Sequence, residues 1–82
     1  MSQREVLMLL EEFDRPVRPA ELERRYAEKN RLMRPDPGHH GMILRALKEL
    51  TAQQFVVKTD DGRYFAVSVA VSVYMKGILL TA

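Results

Sequence analysis

The chain has no cysteine. Disulfide staples and thiolate metal sites are thereby excluded, and a reducing compartment suits it. Glycine and proline are sparse, four of each in 82 residues, and no glycine-rich loop of the kind that cradles a phosphate occurs. Long apolar runs are missing too. Val6–Leu10 is cut off by Glu11 and Glu12, too short for a convincing signal-peptide core. Tyr64–Leu80 is interrupted by Ser68, Ser72 and Lys76 and is shorter than the roughly 20 residues of a membrane helix. The expectation is a soluble, cytoplasmic protein. Nor does one sign of charge dominate: 13 Lys and Arg against 11 Asp and Glu leave a formal net charge of +2, too little by itself to predict a nucleic-acid partner. No nucleophile stands with a base at motif spacing, and the acids lie among basic residues on amphipathic stretches, where solvated ion pairs are the usual arrangement. Neither an enzyme nor a cofactor is expected.

What is present reads as one small globular domain. Hydrophobic residues make up 46% and charged residues 29%, which argues against a disordered tail. A chain this short buries a modest core, and its stability margin is thin. The first helix is predicted over about Ser2 to Phe13, with Ser2 and Glu5 in capping-box spacing and Val6, Leu9, Leu10 and Phe13 on one stripe. Asp14-Arg15-Pro16 ends it, and Val17-Arg18 forms an extended link. Pro19 opens a second helix to about Asn30, with Leu22 and Tyr26 inward and Ala27 beside them. Arg31 to Gly38 is a loop carrying Pro35 and Pro37. Asp36-Pro37 starts a third helix to about Gln53, with Ile43, Leu47 and Leu50 as its core stripe.

Phe55–Lys58 and Arg63–Val67 flank the tight-turn signal Asp60-Asp61-Gly62 and predict a β-hairpin. Beyond it, Val67, Val69, Val71 and Val73 alternate with Ser68, Ala70, Ser72 and Tyr74. That period and the β-branched residues favour a long strand, while Ala70, Val73, Tyr74 and Gly77 also fit a helical spacing. The fold class is therefore α+β: a winged helix of three helices and a hairpin wing over 1–66, with an apolar extension over 67–82.

The stretch Leu44 to Phe65, a helix ending in Leu-x-x-Leu followed by Gln54-Phe55-Val56 and an Asp61-Gly62-Arg63-Tyr64 turn, resembles the recognition helix and wing of bacterial winged helix-turn-helix regulators. Val6–Leu10, the Arg15-Pro16-Val17 break and Pro19-Ala20-Glu21-Leu22 extend the likeness over roughly Arg4 to Val69. The family it is most similar to is the N-terminal DNA-binding domain of IclR-type transcriptional regulators. The segment from Asn30 to Gly38 is longer than that family's inter-helix turn, the third helix opens Pro37-Gly38-His39-His40-Gly41 where small hydroxyl residues are usual, and Gln54 replaces a usual glycine. The resemblance does not carry ligand-regulated repression, which belongs to a separate effector domain.

The resemblance implies that the third helix, about 37–53, reads duplex DNA. Its first turns would present His39, His40, Met42 and Arg45 to the major groove, with Arg45 facing guanine and Gly38 and Gly41 permitting close approach. Arg31, Arg34 and Lys48 would hold phosphates. From Lys29 to Lys48 five cations accompany one acid, Asp36, so one surface is expected to be basic. Two aspartates at the hairpin tip oppose a wing contact, and Lys58 and Arg63 are expected to pair locally. Adjacent histidines point about 100° apart on a helix, so His39 and His40 are not expected to chelate a metal. The extension invites a homodimer, and the alternative is that Val67, Val69 and Leu79 complete the core against the first helix. Two functions follow: a small DNA-binding transcriptional regulator, or a winged-helix module for protein–protein contacts, as adaptor or inhibitor, without DNA.

Overall fold

The structure, a computed structural model, describes residues 2–34 and 36–81, with side chains through Met75. The chain runs α1 (Gln3–Glu11), α2 (Pro19–Lys29), α3 (Pro37–Ala52), β1 (Val56–Lys58), β2 (Tyr64–Ala66) and α4 (Val67–Thr81). This is an α+β arrangement of four helices and a two-stranded antiparallel hairpin, an order compatible with a winged helix.

Local chemistry sets each helix start. Ser2 and Glu5 close a reciprocal capping box: the Ser2 hydroxyl accepts from the Glu5 N–H at 3.2 Å, and the Ser2 N–H donates to the Glu5 carboxylate at 3.4 Å. Pro19 begins α2 at a position that needs no N–H donor. Asp36 Oδ1 accepts from the Gly38 N–H at 2.8 Å and caps α3.

The ends of α2 and α3 share one device. Arg31 (φ 56°) and Gln54 (φ 68°) adopt the left-handed conformation just past the helix. After α2, Leu32 N–H reaches Ala27 C=O at 2.9 Å and Arg31 N–H reaches Glu28 C=O at 3.2 Å. After α3, Phe55 N–H reaches Leu50 C=O and Gln54 N–H reaches Thr51 C=O, both at 3.0 Å. Both are Schellman closures, in which glycine is the favoured left-handed residue. The hairpin turn does use glycine at such a position, Gly62 with φ 81°.

One core joins the elements. Val6, Leu9 and Leu10 of α1, Leu22 of α2, and Ile43, Ala46, Leu47 and Leu50 of α3 pack with Val56, Tyr64 and Ala66 of the hairpin. Phe13, Tyr26, Leu7 and Val69 lie half-buried against them. Val56, Val57 and Lys58 pair with Ala66, Phe65 and Tyr64. The Val17 link also joins the hairpin. It is fully buried and exchanges two backbone hydrogen bonds with Tyr64, at 2.9 and 2.8 Å, on the edge of β2 away from β1.

The favoured long strand after Val67 is overturned: Val67–Thr81 is the helix α4. The reason lies in the shortness of the hairpin. Val56↔Ala66 is its last pair, and Phe55 C=O takes only one further N–H, that of Val67. An extended chain beyond that point has no neighbour for its backbone groups, whereas a helix satisfies them internally. The strand expected over Arg63–Val67 is likewise confined to Tyr64–Ala66. Of the three residues that the alternative sets in the core, Val69 packs against it, Val67 is half-exposed, and Leu79 lies outside the described side chains.

Candidate nucleic-acid interface

The apolar stripe of α3 fixes which of its residues face outward. With Ile43, Leu47 and Leu50 buried, a turn of about 100° per residue puts Gly38, Gly41, Arg45, Lys48 and Ala52 on the opposite side, at intervals of three and four. All five are exposed, with Met42 and Glu49 along one edge of the strip. Near its middle a shallow concavity is lined by Gln3, Met42, Arg45, Ala46 and Glu49. The Gln3 side-chain amide donates to the Glu49 carboxylate, tying the start of α1 to this face.

Charge on this face is not neutralised from within. Among the described residues, Arg31, Arg34, Arg45 and Lys48 have no acid within ion-pair distance, whereas Arg15, Arg25, Lys29 and Arg63 do. Arg25 and Lys29 both engage Glu12, the C-cap of α1, so Lys29 of the basic stretch serves instead to join the end of α1 to α2. The Lys29 ammonium, and then the Arg25 guanidinium, hold the Glu12 carboxyl below the usual glutamate range.

The six candidate residues fall into three groups. Arg45 and Lys48 lie together on the outer face of α3. Arg31 and Arg34 are exposed in the loop that precedes the helix, and Arg45 lies about 12 Å further along the axis from its start at Pro37. The histidines turn the other way. His39 packs edge-on against Tyr26, ring centroids 4.8 Å apart, and His40 Nδ1 lies 3.1 Å from Glu23 Oε2. Both contacts are with α2, so the histidines are not brought beside Arg45. The spacing held this information: residues 39 and 40 stand four and three before Ile43, on the core side of a helix.

The residue pattern singled out Gly38 and Gly41 but not Glu49. A Cβ built at Gly41 meets nothing within 4 Å, so no internal packing requires glycine there. Within a helix that glycine costs about 1 kcal/mol relative to alanine. Glu49 stands one turn after Arg45 and puts an acid on the basic strip.

At the hairpin tip, Thr59 donates to the Asp61 carboxylate and, with Arg63 beside it, keeps that carboxyl below its ordinary value. Arg63 Nε lies 3.1 Å from Asp61 Oδ2 but out of hydrogen-bond alignment, so the contact is Coulombic. Among the described residues Lys58 has no acid within ion-pair distance. Its ammonium sits 5.9 Å from the centre of the Tyr64 ring. Among the described residues no three His, Asp or Glu side chains gather as a metal site, and no helix is long and apolar enough to cross a membrane.

Comparison of the chain with family models, with curated proteins and with solved structures finds no match.

Proposed function

We propose that this chain is a small winged-helix, DNA-binding transcriptional regulator related to the IclR-type domains it resembles, working in the cytoplasm as a binding module without catalysis. The observation that carries this reading is the outer face of α3: Arg45 and Lys48, free of acid partners among the described residues, on a strip kept low by Gly38 and Gly41. A groove-docked helix needs cations that are not already paired and a surface that lets the duplex approach. Arg31 and Arg34 add charge at the N-terminal end of the helix. The buried Val17 link, paired with Tyr64, ties the connection between α1 and α2 to the hairpin. The histidines act as anchors of α3 on α2 and are not readers of bases.

The experiment is fluorescence anisotropy on a mixed-sequence duplex at two salt concentrations. The expected result is salt-sensitive binding at micromolar protein, weakened by Arg45→Ala and by Lys48→Ala with the fold intact. Absence of binding at low salt overturns the reading.

A second reading has its own support. Met33 is fully exposed in the loop before α3, with Leu32 and Met42 exposed close by in sequence. Exposed methionines suit an adaptable protein contact. A winged-helix adaptor or inhibitor would use this surface, and failure of DNA binding with retained sensitivity of a protein partner to Met33→Ser would favour it.

A further inference from the structure

We infer that α4 is a two-fold interface, covered by the α4 of a second copy running antiparallel to it. The helix carries a single charged residue, Lys76, in Val67–Thr81. Its packing on the rest of the chain is chiefly against β2, through its first turns. Val69 turns inward, and the next turns stand clear: Tyr74 is 68% exposed, Val71 53% and Met75 50%. A helix apolar around most of its surface is stable in water only when something covers it.

Residues 71–75 are all exposed, Val73 at 45% among them, and the larger of these side chains form a stripe on one side of the helix with half-exposed Val67. Val67, Val71 and Tyr74 follow at intervals of four and three, with Met75 beside them. At the start of that stripe lies an apolar groove between α1, the link from α3 to β1, and α4, lined by Leu7, Glu11, Gln54, Phe55, Val67 and Ser68. Phe55, whose carbonyl accepts the Val67 N–H at 3.0 Å, leaves 53% of its surface open on the rim.

The groove and the stripe match each other in spacing. An antiparallel pair with Val71 on the two-fold axis sets Met75 opposite Val67 and Tyr74 opposite Ser68. Each Tyr74 ring then enters the other copy's groove, with its hydroxyl near the polar rim of Glu11 and Gln54. One patch thus supplies both knob and hole, which is the requirement of an isologous interface. The area is adequate as well. Covering Phe55, Val71, Tyr74 and Met75 removes on the order of 400–500 Å² per copy, so a pair approaches the ~1,000 Å² expected of a specific association. With Glu11 the one charged residue lining the groove and Lys76 the one charge in the sequence of α4, a strongly charged partner finds little complement on this face, whereas a second copy does.

The inference rests on α4 and the groove, not on DNA, and is tested without it. Sedimentation equilibrium of the full chain across the micromolar range is expected to give twice the monomer mass, with Val71→Glu raising the dimer Kd by at least about tenfold because it sets like charges face to face. The absence of native cysteine permits a direct test of register. Under mild oxidation Val71→Cys is expected to form a disulfide-linked dimer and Ser72→Cys to stay without the cross-link, since facing Cα atoms must lie within about 7 Å. A mixture of affinity-tagged Val67→Cys with untagged Met75→Cys is expected to give the mixed dimer in preference to either homodimer. Monomer mass throughout, including a monomer whose α4 is taken up by another protein or by detergent, overturns the inference. So does equal cross-linking at 71 and 72, or homodimers of Val67→Cys and Met75→Cys without the mixed species.

Discussion

His40 Nδ1 and Glu23 Oε2 lie 3.1 Å apart, across the junction of α3 with α2. The contact directs the imidazole toward the body of the protein and leaves the outer face of α3 to Arg45 and Lys48. Its position predicts a separation of effects. His40→Ala removes one partly exposed polar pair and is expected to cost less than about 1 kcal/mol in urea denaturation. Duplex affinity in the same variant is expected to stay within about twofold, because no phosphate or base contact is lost. A large fall in affinity with unchanged stability would return His40 to the reading face.

Arg45 and Lys48 share a face but differ in what they can do there. A guanidinium matches the paired acceptors of guanine, while an ammonium meets a phosphate as a point charge. Lys48→Ala is therefore expected to weaken binding to all duplexes alike and to lower the slope of log affinity against log salt by about one. Arg45→Ala is expected to cost about 1–3 kcal/mol on a preferred site and to relax discrimination at one base pair. Anisotropy titrations over a salt series, with a preferred and a random duplex, separate the two. Equal losses on both duplexes for both variants would make Arg45 a phosphate contact only.

Gly41 predicts opposite signs for stability and binding. Space for a Cβ is open, so Gly41→Ala is expected to stabilise the fold by about 0.5–1 kcal/mol through helix propensity. A methyl group on the strip proposed to face the duplex is expected to reduce affinity in the same protein. A stabilised variant with undiminished binding would show that the duplex does not come close to Gly41.

The elements that could be read ahead of the structure are those whose signals are local. Ser2 with Glu5, Pro19, and Asp36 before Pro37 each act within one turn of chain, and the three helices begin where they stand. Gly62 marks the hairpin for the same reason. The extension favours a strand in its alternating valines while also fitting a helix, and the deciding fact is not local: β1 begins only at Val56, just after α3, so among the described residues no strand runs alongside Val67–Val73. The candidate site was half legible. Residue types and charge pointed to Arg45 and Lys48, and the spacing from Ile43 held the side on which His39 and His40 lie, but their partners Tyr26 and Glu23 come from α2 and are not local to α3. The lack of partners for the basic residues is also a property of distance in space, as Lys29 shows by pairing with Glu12 of a different helix.

Gln54 holds a backbone conformation better suited to glycine. An L-residue in the left-handed region is disfavoured by roughly 1 kcal/mol or more, and the Schellman bonds from Gln54 and Phe55 require that conformation. Gln54→Gly is expected to stabilise the fold by about 0.5–1 kcal/mol, read as a raised urea midpoint with unchanged slope. Gln54→Ala is expected to give no gain, since alanine keeps the same Cβ. A gain with alanine equal to that with glycine would assign the effect to the glutamine side chain and not to the backbone.

Glu12 predicts how stability responds to acid. Its carboxylate accepts from the Lys29 ammonium and from Arg25 Nε at 3.1 Å, and these contacts lower its pKa in the folded state from the ordinary 4.5. A carboxyl with a lowered folded value binds its proton more readily when unfolded. Its stabilising contribution is therefore complete above the unfolded value and disappears as the pH falls through the folded one. Glu12→Gln, which cannot ionise, is expected to melt at a lower temperature than the native chain at neutral pH. The gap is expected to narrow once the pH drops below the ordinary glutamate range and to close in stronger acid. Added salt is expected to shrink the neutral-pH gap as well, because the pairs are partly exposed. Melting curves of both proteins over an acid series decide the matter: a gap that stays constant with pH would show that packing of the side chain, and not its charge, joins α1 to α2.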